Sequence, residues 1–473
     1  MVRLLHYSDI ENLYDDAERA GRFAGRIRER DGEDALVVGT GDTTAPGVVS
    51  LAASGRQVLD FADAVDTVAD TFGNHDFDYG PDATREIVAD SEFTWVSANT
   101  LDEDGEPFGA AEGVVPWTIA EADGERVGFF GLTDPTTDSI NPQAAPLTFT
   151  DPYAAADEAV AELRDEGVDY VVALSHLGGG DDELARRVDV DAILGGHVHS
   201  VRTEYVDGAL CTRPGVNGHE FVEIELGADD AAAARGDGGV AASARVIDPS
   251  EGPVHEDPSE GPVHEDLTDA LERRRESAGL TETVATVDEP LARTDETTFG
   301  GESRIGNFVA DAYRAAADAD VGLQNGGGIR EGPALSGDVT LADLVSVLPF
   351  EEPVVVVELT GRELLETFSE ADGSELDFGE PHWWHAHLSG ASLRWDHEAG
   401  ELLDARVDGE PIDPEQRYTV ATAEYLLHSD HEFPTIEQRH RAGEVGIQHD
   451  VLAEHARRGG LDVKVEGRMV FEP

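Results

Sequence analysis

Short apolar runs alternate with helical spacings of apolar residues along the first half of the chain. Val2 to His6 is an apolar run that predicts a strand ending at Ser8-Asp9, and Ala20, Phe23, Ala24 and Ile27 then recur at the spacing of one helix face. Ala35 to Val38 reads as a buried strand that stops at Gly39-Thr40-Gly41-Asp42. Further strands are expected at Phe93 to Ala98, Val127 to Leu132, Tyr170 to Leu174 and Ala192 to Leu194, and an Ala-rich helix from Pro152 to its stop at Gly167. Strands alternating with helices predict an α/β domain over residues 1–226.

The pattern lapses over residues 227–282, where Ala, Gly and Asp dominate. The stretch Asp248 to Glu256 is followed at once by an identical copy, Asp257 to Glu265. The prolines in each copy exclude a helix there, so this segment is expected to be a solvated acidic linker with a tandem repeat, closed by a helix over Asp269 to Ala278. His255 and His264 recur with the repeat and are read as linker residues rather than metal ligands. A second α/β domain is expected over residues 283–473. Its clearest strand is Val354 to Leu359, and Thr360 and Glu363 make a capping box for a helix over Arg362 to Ser369.

The 473 residues exceed one compact core, and 40% hydrophobic content suffices to bury more than one. Charge changes the picture more. There are 100 acidic against 33 basic residues, a formal net charge of −67, and Lys464 is the single lysine. The acidity is spread along the chain, and concentrated salt relieves self-repulsion of this size. The composition resembles that of proteins from extreme halophiles. It disfavours nucleic acid and anionic membranes as partners. Cys211 is the only cysteine, which excludes an intrachain disulfide, and no apolar run approaches the length of a membrane span. With the first strand starting at Val2 and no secretory signal before it, a cytoplasmic location is expected. Nothing here specifies an oligomeric state.

Polar blocks follow the expected strands of the first half. Asp9 and Glu11 follow the first strand and Asp42 the second; Asn74, His75, Asp76 and Asp78 lie in a glycine-framed loop; His176 follows the strand from Tyr170; and His197 and His199 follow Ala192 to Leu194. Such groups at the carboxyl ends of buried strands are where α/β folds place their sites. Burying so many Asp and His residues is costly unless cations take up the charge. Carboxylates that can bridge, together with imidazoles, suit a pair of divalent ions, which at about 3.5–4 Å apart can hold a hydroxide and clamp a phosphate.

The order Asp…Gly-Asp…Gly-Asn-His-Asp…His…Gly-His-x-His resembles the calcineurin-like metallophosphoesterase superfamily. The resemblance implies a four-layer α/β/β/α sandwich that holds two divalent metal ions (Mn, Zn, Co or Mg). By that likeness Asp42 bridges the ions, Asp9 and His199 serve the first, and Asn74, His176 and His197 serve the second. His75 stabilises the transition state without binding metal, and Asp78 orients it. Asp76 is open between a backbone role and catalysis. Family members read Asp-x-His after the first strand where this chain reads Asp9-Ile10-Glu11, which leaves open whether Glu11 coordinates.

The second half carries Glu302-Ser-Arg-Ile-Gly-Asn307, Asn325-Gly-Gly-Gly-Ile-Arg330, Leu348-Pro-Phe350 and Ala421-Thr-Ala-Glu-Tyr425. These resemble the substrate-binding carboxyl-terminal domain of bacterial and archaeal 5'-nucleotidases and UDP-sugar hydrolases. The likeness implies that Phe350 and Tyr425 sandwich a base, that Asn325 and Arg330 contact the ligand, and that Arg304 compensates for an Arg missing at Gly301. Where the family has Gly-Gly-Asp this chain has Ser429-Asp430-His431-Glu432. His382, His385 and His387 are read as packing residues of a strand. Together these readings give hydrolysis of a 5'-mononucleotide substrate to nucleoside and phosphate, at a site expected between the two domains. Hydrolysis of 2',3'-cyclic nucleotides or of UDP-sugars and other diphosphates is the nearest rival, and thiosulfate-ester hydrolysis a more distant one. A catalytically weak nucleotide- or metal-binding protein is the rival of another class.

Overall fold

The computed structural model describes residues 2–227, 242–248, 262–373, 376, 383–429 and 431–472. They form two compact units, Met1–Ala278 and Gly279–Pro473.

In the first unit two six-stranded sheets lie face to face. One runs Ala242–Ile247, Phe221–Leu226, Val2–Tyr7, Ala35–Gly39, Thr67–Asp70, Thr94–Trp95; the other runs Arg202–Val206, Ala209–Arg213, Ala192–Gly195, Tyr170–His176, Glu125–Thr133, Trp117–Ala122. Their central strands are parallel. Side-chain alternation decides what each face buries. Leu4, Val38 and Ile224 of the first sheet meet Phe129, Val172 and Leu194 of the second in one core. The outer face of the second sheet is covered by the helices Pro152–Asp165 and Asp181–Arg187 through Ala156, Leu163 and Leu184. On the outer face of the first, Tyr7 meets Phe61 of the helix Gln57–Val65 edge-on, and Phe23 of the helix Ala17–Arg28 packs between Phe61 and Phe221. The result is the four-layer sandwich that the sequence implies.

Two expectations change. The strand expected over Phe93 to Ala98 shortens to Thr94–Trp95 because the chain crosses between sheets there. Val96 N–H donates to Asp70 of one sheet and Ala98 N–H to Gly131 of the other, at 2.8 and 2.9 Å. A Cβ on Gly131 would lie 2.0 Å from the Val96 carbonyl oxygen, so only glycine admits the crossing. Residues 227–282, read as a linker, supply two elements to the first unit. Ala242–Ile247 pairs antiparallel with Phe221–Leu226 as an edge strand. The helix Glu265–Ser277 buries Leu267 and Leu271, and its Arg274 and Arg275 donate to Asp60 and to the Asp15 carbonyl. His264 caps that helix by accepting from Leu267 N–H. His255 lies outside the described residues.

The second unit is built on a five-stranded sheet in the order Ala386–Ser389, Val321–Asn325, Arg417–Ala423, Pro353–Thr360, Arg441–Ile447. The helices Arg304–Ala317 and Gln448–Gly459 pack on one face through Phe308, Tyr313 and Leu452. Val355, Leu359, Trp384 and Trp395 fill the other side. The capping box forms as expected: Thr360 and Glu363 exchange backbone and side-chain hydrogen bonds.

Gly131→Ala is expected to lower the free energy of unfolding by about 1–3 kcal/mol, the usual cost of overpacking. Gly443, with nothing within 4 Å of an added Cβ, serves as the control for Ala substitution. The shift in urea midpoint between the two variants is the measurement.

Candidate functional site

Parallel strands bring their carboxyl ends to one edge of each sheet, and the polar blocks follow from there. Two clusters result. Asp42, His176 and His197 form one, and Asp9, Glu11 and His199 the other, with the ligand atoms of each within 4.8 Å of one another. His176 Nε2 lies 3.1 Å from Asp42 Oδ2, and His199 Nε2 lies 3.3 Å from Glu11 Oε1 and 3.8 Å from Asp9 Oδ1. Asn74 adjoins the first cluster, since the next amide, His75 N–H, donates to Asp42 Oδ1 at 2.7 Å. Glu11, whose part the sequence left open, is buried beside Asp9 and His199.

The chemistry of this donor set fits cations. Glu11 Oε1, Asn74 Oδ1 and His176 Nε2 are buried and accept no hydrogen bond, a cost that native interiors rarely leave unmet. His176 Nδ1 sits 2.7 Å from the Thr40 carbonyl, so that nitrogen donates there and Nε2 is the one left to a cation. Burial pushes Asp9 up to about 7, with His176 pulling the other way and Asp42 adding to the rise. Burial also opposes charge on His176, but Asp42 outweighs it and raises the imidazole to about 10. The backbone is strained at the same place. Asp9, Glu11, Asp42 and His197 take left-handed φ values of 47°, 33°, 51° and 70°, a conformation that non-glycine residues hold only under surrounding constraint.

Beside the clusters, His75 Nδ1 lies 3.0 and 3.2 Å from the two oxygens of Asp78. Burial lowers the imidazole's tendency to charge, but Asp78 and Asp42 outweigh it and hold His75 at about 10. Asn141, which no sequence signal marked, donates to Asp78 Oδ1 at 3.0 Å and to the Asn74 carbonyl at 2.7 Å.

The second unit holds a cavity of about 560 Å³. Phe350, Tyr425, Asn325 and Arg330 all line it, as expected. Phe299 and Trp383, stacked at 4.2 Å, supply further aromatic wall. The Arg330 guanidinium lies over the Phe350 ring at 4.9 Å. Arg304 is a correction. It is absent from the lining, and its guanidinium donates to the carbonyls of Val463, Glu289 and Pro290, so it braces backbone and does not replace the Arg missing at Gly301.

Residues 2–201 match the model for calcineurin-like phosphoesterases, and residues 283–438 the model for the 5'-nucleotidase C-terminal domain. The chain belongs to the calcineurin-like phosphoesterases of the 5'-nucleotidase type. It is 25% identical to the trifunctional nucleotide phosphoesterase protein YfkN of Bacillus subtilis, over 100% of this chain and 35% of that protein. It is 26% identical to the endonuclease YhcR of the same organism, over 85% of this chain and 34% of that one. The chain thus spans about a third of the length of these two curated relatives. The structure of a 5'-nucleotidase precursor from Thermus thermophilus superposes over the whole of both chains, with a TM-score of 0.73 at 24% identity, and shares the fold.

Around the two clusters the strained loops are held by carboxylates that do not belong to either. Asp76 accepts from the amides of Gly73, Asp42, Thr43 and Thr44 at 2.7 to 3.1 Å. Of the two roles left open for it, the structure gives it the backbone one. Asp70, which the sequence did not mark, accepts from Gly41 N–H, Thr71 N–H and the Tyr7 hydroxyl. Burial, with Asp76 adding, pushes Asp70 up to about 8. No helix among the described residues is long and apolar enough to cross a membrane.

Asp76→Asn turns a donor toward buried amides and is expected to cost about 1–3 kcal/mol per amide left unpaired, before relaxation, read from urea unfolding. Because the folded-state pKa of Asp70 lies above its unfolded value, its protonated form favours the fold. That contribution is full below about pH 4 and is lost as pH rises through about 8. The melting temperature is therefore expected to fall between pH 5.5 and 8.5, and to fall less in Asp70→Asn; parallel slopes would contradict this.

Proposed function

We propose that the protein hydrolyses 5'-mononucleotides to nucleoside and phosphate, using two divalent ions held by Asp9, Glu11 and His199 and by Asp42, Asn74, His176 and His197, with Asp42 shared. The observation that carries the reading is the pair of ligand clusters, with the buried Asn74 Oδ1 beside them accepting no hydrogen bond. The relatives support the substrate class: one is named a trifunctional nucleotide phosphoesterase and another a 5'-nucleotidase precursor.

When bound, the ions supply Lewis-acid charge to the phosphate and acidify the attacking water. The rest falls to the chain. Asp78 accepts from His75 Nδ1–H and keeps that imidazole charged and aimed, and Asn141 fixes Asp78 in turn. Nε2–H of His75 is then available to the phosphate and to the departing ribose oxygen. Phe350 and Tyr425 offer flat faces to the base.

Phosphate release from AMP, a 2',3'-cyclic nucleotide and UDP-glucose, assayed in molar KCl with Mn, Co, Zn or Mg, tests the reading. AMP turnover is expected; turnover of none of the three would overturn it in favour of a binding protein. His75→Ala is expected to keep its bound metal and lower kcat by about 10²–10⁴. Glu11→Ala is expected to lower the metal bound per chain, measured by elemental analysis after dialysis, while an unchanged metal content would remove Glu11 from the ligand set.

A further inference from the structure

The cavity of the second unit contains a carboxylate that the sequence reading did not assign. Glu432 lines the cavity but is only 5% exposed. Its Oε1 accepts from the Tyr425 hydroxyl at 3.0 Å and its Oε2 from Asn325 Nδ2 at 2.8 Å. His385 Nε2, fully buried and stacked on Phe433, lies 2.8 Å from the same Oε2. Burial works against the charge, but His385, Asn325 and Tyr425 outweigh it and keep the carboxyl below its ordinary value.

An ionised carboxylate only accepts hydrogen bonds, and this has a directional consequence. The Asn325 amide must turn its nitrogen toward Glu432, so its Oδ1 faces the other way. There it meets Gln324 Nε2 at 2.9 Å, which also donates to the Asn325 carbonyl at 2.9 Å. Gln324 therefore cannot flip without losing two bonds, and Asn325 cannot flip without setting nitrogen against nitrogen at one end and oxygen against carboxylate at the other. Each atom of the Asn325 amide keeps one free valence: a hydrogen on Nδ2 and a lone pair on Oδ1. Their positions toward a ligand are set from Glu432.

We propose that Glu432 is a positioning residue that fixes the donor–acceptor polarity of Asn325 and thereby selects among nucleobases whose edges differ in donor and acceptor order. This rests on the reading of the cavity as the nucleoside site. Adenine and hypoxanthine are suitable probes, because an amino donor and a ring acceptor in one are a carbonyl acceptor and a ring donor in the other. In Glu432→Gln the introduced amide can donate, the constraint on Asn325 is released, and the polarity of its edge can reverse. Simultaneous Asn325→Asp and Glu432→Gln keeps the bonds to Tyr425 and Gln324 and the one between the two positions, with the new amide donating one hydrogen to the new carboxylate and the other to His385 Nε2 in its neutral, accepting tautomer, and leaves position 325 able only to accept.

The test measures dissociation constants of adenosine and inosine for the full chain by calorimetry in molar KCl. For Glu432→Gln the adenosine-to-inosine ratio is expected to shift at least fivefold from the parent's. The paired substitution, which also guards against a single variant that fails to fold, is expected to shift the same ratio at least fivefold. A merely structural Glu432 would weaken both nucleosides alike, so ratios within twofold of the parent in both variants would overturn the proposal. Absence of binding of either nucleoside to the unsubstituted protein would instead remove the nucleotide reading, and this inference with it.

Discussion

Like charge brought together out of water governs the first unit. Asp9, Glu11 and Asp42 are all buried, Asp70 and Asp76 lie buried just beneath them, and no arginine or lysine of the described residues is hydrogen-bonded or ion-paired to the first three. Carboxylates in that position either take up protons or face a cation. The imidazoles of His176 and His199 offset part of the charge, but an imidazole that binds metal must give up its proton. Neutralisation by divalent ions is what lets the same groups stay ionised and unprotonated together.

That requirement explains where the strain sits. Left-handed backbone at Asp9, Glu11, Asp42 and His197 turns successive side chains of short loops toward one point instead of alternating faces. Each such residue costs on the order of 1–3 kcal/mol, so something rigid must oppose relaxation. Asp76 does so with a single carboxylate gathering four amides from two loops, and Asp70 ties Gly41 to the neighbouring strand. Both side chains are aimed at peptide N–H groups and hold the loops through hydrogen bonds, with no ion required.

How much of this could be read from the chain follows from the distance over which each feature is encoded. The strand-end blocks were legible because a strand, a glycine and a ligand residue sit together in a few positions, as in Gly41-Asp42 or Gly73-Asn74-His75, and chain order alone supplied the set. The sandwich was implied by the family resemblance that this order carries, the strands alone giving only an α/β domain. Contacts that join distant positions left no local mark. Asn141 reaches Asp78, Asp70 holds a turn that begins at Gly41, and Glu432 answers Asn325 across the second unit. The edge strand Ala242–Ile247 was hidden by its small, half-exposed residues next to a low-complexity stretch. Arg304 misled for the opposite reason. Its position in the motif suggested a ligand contact, but the guanidinium is taken up by three backbone carbonyls.

The two units also differ in the sign of what they can hold. The cavity of the second unit is lined by Asp295, Glu331, Glu352 and Glu432 against Arg330 alone, and that guanidinium already lies on Phe350. A phosphate dianion is poorly served by such a lining, whereas a neutral base and sugar with hydrogen-bond donors and a flat face are well served. The first unit has the reverse character once cations are bound, with His75 charged at its rim. Under the nucleotidase reading, the uncharged and charged portions of one substrate are therefore recognised by different physics: stacking and amide polarity for the one, metal charge for the other. Changes at Asn325, Gln324 or Glu432 then alter which base is accepted without touching the groups that move phosphate.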